Sequence, residues 1–210
     1  DNAYYYVLGK ALSQGEGYVN IANINKAPNN HYPPGYPFII SLFMHISDSP
    51  IFLKLVNGIF LLISLHLLYY LFKYLSNSSK IAFVTVFFLL LNSNMLLYGT
   101  MLMSEMSFIL LSFFCIYLVL KTDLESNLFR RPQVYLILIA LVGAYYIRST
   151  GLALFAGLML YLLFNRYWKA ALFIGAGFIT VAIPWIIRGQ KLGGSSYIKP
   201  LVMINPYRAE

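Results

Sequence analysis

The chain has 210 residues, of which 60% are hydrophobic, 17% aromatic and only 10% charged. Soluble domains carry about 25% charged residues, so this composition excludes an ordinary soluble domain and predicts a polytopic membrane protein. The net charge of +8 does not predict nucleic-acid binding, because the basic residues are dispersed between apolar runs, as is typical of contacts with anionic lipid head groups or a substrate phosphate.

A long polar segment, residues 1–37, precedes the apolar part of the chain. Asp1 is placed to cap a helix, because its carboxylate can accept hydrogen bonds from free backbone N–H groups, and the glycines at positions 15 and 17 are placed to end that helix. Tyr5, Leu8 and Leu12 recur at helical spacing. The pattern predicts an amphipathic helix that lies at the membrane surface.

The second half of this segment predicts a loop. Residues 18–31 are rich in asparagine and show no hydrophobic periodicity. In HYPPGYP, residues 31–37, the prolines fix φ and the glycine permits a turn. Pro37 is therefore placed in the first turn of a short helix that ends near His45. His31 and Tyr36 lie in this turn and are candidate substrate contacts.

Six apolar runs follow, and each is expected to cross the membrane. They occupy residues 51–72, 81–103 with a break at 92–94, 105–120, 134–147, 152–164 and 170–187. Lys54, Asn57 and His66 interrupt the first run and are expected to face protein rather than lipid. Several runs have only about 14 residues, or about 21 Å of helix against a hydrocarbon core of about 30 Å. Those runs cross only if their flanking polar residues are included.

An alternative to two short helices is one long helix through Arg148, and the distribution of charge favours the short helices. With six crossings, Arg148 lies in a short loop on one side, and the loops of the other side hold Lys73, Lys80, Lys121, Arg130, Arg131, Arg166 and Lys169. This asymmetry follows the positive-inside rule, which a fused helix would break. Asp1, Glu105, Arg148 and Arg188 are therefore expected to share the non-cytoplasmic side.

Two acids and two guanidinium groups thus converge from distant parts of the sequence. Arginine captures phosphate through paired hydrogen bonds, and a carboxylate can take the proton of an attacking hydroxyl. Together they predict group transfer from a lipid phosphate carrier. Each residue also has a purely structural interpretation: Asp1 as a helix cap, Glu105 as an acid favoured at a helix start, and Arg148 as a helix-end cation.

The chain resembles the C-type glycosyltransferase superfamily, in particular the branch that contains dolichyl-phosphate-mannose protein mannosyltransferases and bacterial aminoarabinose transferases of lipid A. The similar segments lie in the same order over nearly the whole chain: Asp1 with residues 4–12 and 15–18, YPPGYP at 32–37, MSE at 103–105, IRSTG at 147–151 and IPWIIR at 183–188.

The resemblance implies an inverting transfer from a polyprenyl-phosphate sugar, with Asp1 as the base. Glu105 is a second candidate catalytic residue because of the convergence of charges described above. Arg148, Arg188 and Lys191 are the candidate ligands of the leaving phosphate. Family members often carry a second acid directly after the first, where this chain has Asn2. The cofactor therefore stays open: a divalent cation is compatible with the sequence but not required by it.

The expected fold is an all-α transmembrane bundle with an external amphipathic helix. It comprises an extracytoplasmic loop (1–37), about six membrane helices (38–188) and a second extracytoplasmic loop (189–210). Because the family has further helices at both ends, we expect a fragment of a longer protein, located in a bacterial inner membrane with its site facing outward. The expected partners are the polyprenyl-phosphate sugar, a lipid, glycan or protein acceptor, and membrane lipids, with no nucleic acid.

Two other functions remain open from the residues alone. A transporter or flippase would use the same charged residues to line a path, although no internal repeat of the kind common in transporters is found. A structural membrane subunit would leave the long polar loop unexplained. The single cysteine, Cys115, lies within an apolar run, which excludes a disulfide framework.

Overall fold

A computed structural model of the chain describes residues 2–125 and 128–192. These residues form helices α1 (Asn2–Ser13), α2 (Gly35–Met44), α3 (Pro50–Ser76), α4 (Ser79–Leu90), α5 (Ser93–Gly99), α6 (Glu105–Lys121), α7 (Pro132–Ile147), α8 (Gly151–Phe164) and α9 (Trp168–Lys191). A 3-10 turn at Leu128–Arg130 precedes α7, and Val19 forms an isolated bridge with Pro28 between α1 and α2. The prediction of an all-α membrane protein is confirmed.

Proline and glycine mark the helix ends, as the sequence predicts. Pro50 and Pro132 occupy the first turns of α3 and α7, where the missing N–H has no helical partner to lose. Gly15 and Gly17 follow α1 with φ of 73° and 81°, a conformation that glycine adopts without a steric penalty. The first polar segment is therefore a helix followed by a loop.

Two boundaries differ from the prediction. Helix α3 continues through Lys73 to Ser76 and ends where Asn77 adopts φ +50°, so Lys73, which was expected in a loop, lies in the helix. Helix α9 continues to Lys191, so Arg188 and Lys191 lie in its last turn rather than in a loop. In both helices the polar residues extend an apolar run, because Lys and Arg are good helix formers and suit the negative end of the helix dipole.

A break at residues 91–92 separates α4 from α5, close to the predicted break at 92–94, and the two helices are bent by 68°. Asn92 caps α5: its Oδ1 accepts hydrogen bonds from the N–H groups of Asn94 at 3.0 Å and Met95 at 3.2 Å. Among the described residues, α3 and α9 are each long and apolar enough to cross a membrane, and α4 with α5 makes a third if the bent pair counts as one span. Six crossings stay a prediction.

The fold places the start of α6 beside the end of α7, because these two helices pack antiparallel through a buried core. Ile137 and Leu141 of α7 are fully buried in this core beside Cys115 of α6, and Ile174 of α9 completes it. A second core joins α1 and α2 to the end of α7 through residues that include Leu8, Ile40 and Ile147. The loop segment and the ends of α6 and α7 therefore meet at one end of the bundle.

A close backbone contact fixes α2 against α7. A Cβ atom on Gly35 would lie 2.7 Å from the carbonyl carbon of Tyr146, a distance that real Cβ contacts do not reach, so only glycine fits there without a shift of the helix. Of the three polar residues in α3, Asn57 is 1% exposed as expected. Lys54 and His66 are exposed on the described surface, and their contact with protein rather than lipid stays a prediction.

Candidate active site

An ion pair between Glu105 and Arg148 lies at the end of the bundle where α6 begins and α7 ends. Oε1 of Glu105 is 2.5 Å from Nη1 of Arg148, and the two side chains are 20% and 33% exposed. Glu105 is the first residue of α6, and Arg148 caps the last turn of α7. Each charge therefore complements the helix terminus that carries it, and the antiparallel packing brings the two charges into contact.

Ser104 connects this ion pair to the amphipathic helix α1. Its side chain is buried, with 1% of the residue exposed. The hydroxyl oxygen lies 3.1 Å from the hydroxyl of Tyr5 and accepts a hydrogen bond from Nη1 of Arg148 at 3.4 Å. The predicted polar segment thus reaches the predicted charged residues through direct hydrogen bonds.

One oxygen of this cluster has no partner in the part of the chain that the structure describes. Oε2 of Glu105 is buried and makes no hydrogen bond within the described residues. A buried carboxylate oxygen without a donor is costly, by about 1–3 kcal/mol or more for a charged group, and such atoms are rare in native structures. Among the described residues this carboxylate oxygen is an acceptor left without a donor.

Asn57 supports the segment that leads into Glu105, and sequence reasoning gave it no role in a site. Its Nδ2 donates to the carbonyl oxygens of Met101 at 2.5 Å and Met103 at 2.9 Å, and lies 3.4 Å from that of Tyr98. Its Oδ1 accepts from the hydroxyl of Tyr36 at 3.3 Å. The signal was present in the sequence, because a lone amide inside an apolar run needs hydrogen-bond partners.

Tyr36, a candidate substrate contact, lies inside the protein with 2% exposure. Burial raises the pKa of its phenol, and the nearby Tyr5 and Glu105 raise it further. The hydroxyl therefore stays neutral and serves as the donor to Asn57. The contact of Tyr36 with substrate stays a prediction. Its hydrogen bond to Asn57, which supports the segment before Glu105, is direct.

The loop side of the site contains His31 and Arg188. Nη1 of Arg188 donates to the carbonyl oxygen of Asn29 at 2.8 Å, and its guanidinium carbon lies 5.5 Å and 5.0 Å from the ring centroids of Tyr18 and Trp185. His31 is exposed and packs edge-on against Tyr32 at 4.5 Å. Arg188 thus attaches the loop to the end of α9.

The ring of Tyr32 connects the loop that contains His31 with helix α1. Its ring centroid lies 4.9 Å from that of Tyr5 and 5.8 Å from that of Tyr4, in addition to the contact with His31. The structure therefore brings Glu105, Arg148, Arg188 and His31 to one end of the bundle. Lys191 is exposed in the last turn of α9.

The described residues do not test the role of Asp1 or the need for a metal ion. Asp1, the predicted base, lies outside the described residues. The described residues contain no group of three or more His, Cys, Asp and Glu side chains that could hold a metal ion. Like Asn57, Tyr5 and Ser104 had no role in the site predicted from the sequence, because only the packing of α1 against the end of the bundle brings these two residues together.

Comparison with known proteins identifies one family. The model of the dolichyl-phosphate-mannose-protein mannosyltransferase family matches residues 31–187, about three quarters of the chain. The matched range includes His31, Tyr36, Glu105 and Arg148. No curated protein and no solved structure matches the chain significantly.

Proposed function

The chain belongs to the dolichyl-phosphate-mannose-protein mannosyltransferase family and is a membrane glycosyltransferase of the C type; from this we propose that it transfers a sugar from a polyprenyl-phosphate carrier to an acceptor hydroxyl on the extracytoplasmic side. The observation that supports the proposal most directly is the Glu105–Arg148 pair with its unpartnered carboxylate oxygen. Neither a transporter nor a structural subunit is favoured by the family.

Arg148 is the proposed ligand of the carrier phosphate. Of its guanidinium nitrogens, only Nη1 has partners within the described residues: it pairs with Glu105 and donates a hydrogen bond to Ser104. A guanidinium has five N–H donors, so the remaining donors are available for a phosphate while Nη1 is held. Glu105 fixes the position of the guanidinium before substrate binds, which reduces the reorganisation needed as charge develops on the leaving group.

The proposed reaction is a single displacement. The acceptor oxygen attacks the anomeric carbon, its proton passes to the carboxylate of Asp1, and the bond from that carbon to the phosphate oxygen breaks. The lipid phosphate leaves with the electron pair, and the anomeric configuration inverts. Oε2 of Glu105 accepts a hydrogen bond from a substrate hydroxyl, and Arg188 and Lys191 add positive charge at the end of α9.

The charge distribution supports an extracytoplasmic site, and the membrane is proposed to be a bacterial inner membrane. Helices α6 and α7 carry Glu105 and Arg148 at one end and Lys121, Arg130 and Arg131 at or beside the other end. The end rich in Lys and Arg is expected on the cytoplasmic side. The ion pair then faces outward, where a polyprenyl-phosphate sugar presents its head group.

The test is a transfer assay on the full-length protein in proteoliposomes. A panel of decaprenyl-phosphate sugars carrying mannose, glucose, galactose or aminoarabinose is supplied, and release of decaprenyl phosphate is measured with a membrane extract as acceptor. Arg148→Ala is expected to lower kcat by about 10²–10³, the typical effect of removing one donor to a developing anion. Asp1→Asn is expected to bind the donor without turnover.

Arg130→Ala is the matched control, because Arg130 is exposed near the opposite end of α6 and α7, and it should retain activity. Wild-type turnover in Arg148→Ala would remove the phosphate role from this residue. If the wild-type protein releases decaprenyl phosphate from none of the four donors, the proposed reaction with this carrier is wrong.

A further inference from the structure

An open pocket of about 400 Å³ lies over the loop between α1 and α2. Its lining includes four asparagines, the rings of Tyr4 and Tyr32, and His31. No Lys, Arg, Asp or Glu lines it among the described residues. The volume falls within the range of small-molecule sites, about 300–1,000 Å³. The proposed reaction has so far used none of these asparagines.

The loop that forms the pocket is held in shape by its own backbone. The N–H of Asn20 donates to Ala27 O at 3.0 Å, and the N–H of Asn29 donates to Tyr18 O at 3.1 Å. Between them, Asn23 N bonds to Asn20 O, and Lys26 N bonds to Asn23 O. A pocket that is already formed loses little conformational entropy when a ligand binds.

The wall of the pocket is also fixed to the bundle. Arg188 donates to Asn29 O at 2.8 Å, and Nδ2 of Asn30 donates to Gly189 O at 3.2 Å. These two hydrogen bonds join the lining asparagines to the last turn of α9. The pocket therefore keeps a constant position relative to the end of the bundle that carries the proposed active site.

The chemistry of the lining selects a class of ligand. Within the described residues no hydrogen bond engages the Asn23 side chain, and Asn20 uses only its Oδ1, which accepts from Ala22 N at 3.0 Å. Carboxamides offer donors and acceptors together, which matches a row of hydroxyl groups, and the ring of Tyr4, on a residue that is 48% exposed, offers an apolar surface with a polar end. Among the described residues the lining holds no Lys or Arg that would pair with an anion.

We propose that this pocket is a saccharide subsite that takes a neutral, hydroxyl-rich sugar of the acceptor. The assignment to the acceptor rests on the proposed function. The sugar of the donor is bonded directly to a phosphate, and among the described residues the lining itself holds no Lys or Arg for that phosphate. The neighbouring Arg188 donates to the backbone of Asn29 instead. The acceptor of this protein is accordingly a glycan rather than a peptide.

Direct binding tests the subsite without any transfer reaction. The full-length protein in nanodiscs is mixed with methyl α-mannopyranoside, methyl α-glucopyranoside, maltose or a serine-rich peptide, and saturation-transfer NMR is recorded. A neutral sugar is expected to bind. Asn23→Ala and Tyr4→Ala should weaken it by roughly fivefold, the effect of one neutral hydrogen bond or less. Tyr4→Phe should retain most of the affinity.

Asn25→Ala is the matched control, because Asn25 lies in the same loop, is exposed and does not line the pocket. Binding of the peptide but of no sugar, or equal sugar affinity in Asn23→Ala and Asn25→Ala, overturns the subsite. Sugar binding without transfer from any donor keeps the subsite and contradicts the proposed function instead.

Kinetics then distinguish acceptor from donor. The saccharide that binds best serves as acceptor, with the decaprenyl-phosphate sugar that is turned over as donor. Asn23→Ala is expected to raise the KM for the saccharide about fivefold and to leave the donor KM unchanged. A rise in the donor KM alone would assign the pocket to the donor sugar and overturn the acceptor assignment.

Discussion

The two oxygens of Glu105 have different surroundings, and this difference separates its two proposed roles. Oε1 contacts Arg148, whereas Oε2 is buried without a partner in the described residues. A side chain that served only to balance the helix terminus would not need a buried, unused acceptor. At the scale of single residues, Asn57 is the complementary case, because its amide is fully used by the chain itself.

Replacement of Asn57 is expected to destabilise the protein. Asn57→Leu leaves the carbonyl oxygens of Met101 and Met103 and the hydroxyl of Tyr36 without this partner, which costs about 2–3 kcal/mol if the groups stay buried. Thermal unfolding in detergent, followed with a thiol-reactive dye that reports exposure of the buried Cys115, measures the loss. Asn165→Ala, at an exposed position, is the control. An unchanged transition temperature for Asn57→Leu would show that water replaces the amide.

The sequence predicted the residues of the charged cluster but not the hydrogen bonds between them. Glu105 and Arg148 were identified because ionisable groups beside apolar runs need partners. Tyr5 and Ser104 were not, because a tyrosine on an amphipathic face and a serine at a helix start have common structural interpretations. Their contact depends on how α1 packs on the bundle, which no local pattern encodes.

At the scale of helices, glycine decides how closely α2 approaches α7. The backbone of Tyr146 occupies the space that a Cβ on Gly35 would need. By contrast, Gly157 in α8 has no neighbouring atom within 4 Å of the same position. The two glycines therefore form a natural pair for comparison.

Gly35→Ala is expected to destabilise the protein by about 1–3 kcal/mol, the usual cost of an overpacked contact, because a backbone atom cannot rotate away as a side chain can. Gly157→Ala should be neutral or slightly stabilising, by up to about 1 kcal/mol, since alanine is the better helix former. The measurement is the thermal unfolding temperature of both variants under the same conditions. Equal transition temperatures would mean that α2 shifts without cost.

Most helix starts could be predicted, since proline and capping side chains act locally. The ends of α3 and α9 could not, because Lys73, Arg188 and Lys191 tolerate both helix and loop, and the preceding apolar run extends through them. The bend between α4 and α5 was predicted as a break, but its angle of 68° depends on packing against α3 and α6.

At the scale of the whole molecule, the ends of the short helix α8 should lie on opposite sides of the membrane. Helix α8 runs from Gly151 to Phe164, which corresponds to about 21 Å. Ser149 precedes it and Asn165 follows it, and both are exposed. Ser104, by contrast, is buried and is unsuitable as a labelling site.

Single cysteines at these positions test the orientation. In a Cys115→Ala background, Ser149→Cys is expected to react with a membrane-impermeant maleimide in intact cells, whereas Asn165→Cys should react only after permeabilisation. The reason is the concentration of basic residues on the Asn165 side. Labelling of both positions in intact cells would contradict the crossing of α8, and the reverse pattern would place the ion pair in the cytoplasm.

The closure of the loop at its base has a consequence for how such proteins diversify. The hydrogen bonds of Asn20 with Ala27 and of Asn29 with Tyr18 hold the two sides of the loop together between α1 and α2. Insertions or deletions between positions 21 and 26 therefore change the reach of the loop without moving either helix, since lengthening a surface loop costs little. Homologues could acquire new specificities through loop length alone while their catalytic geometry is preserved.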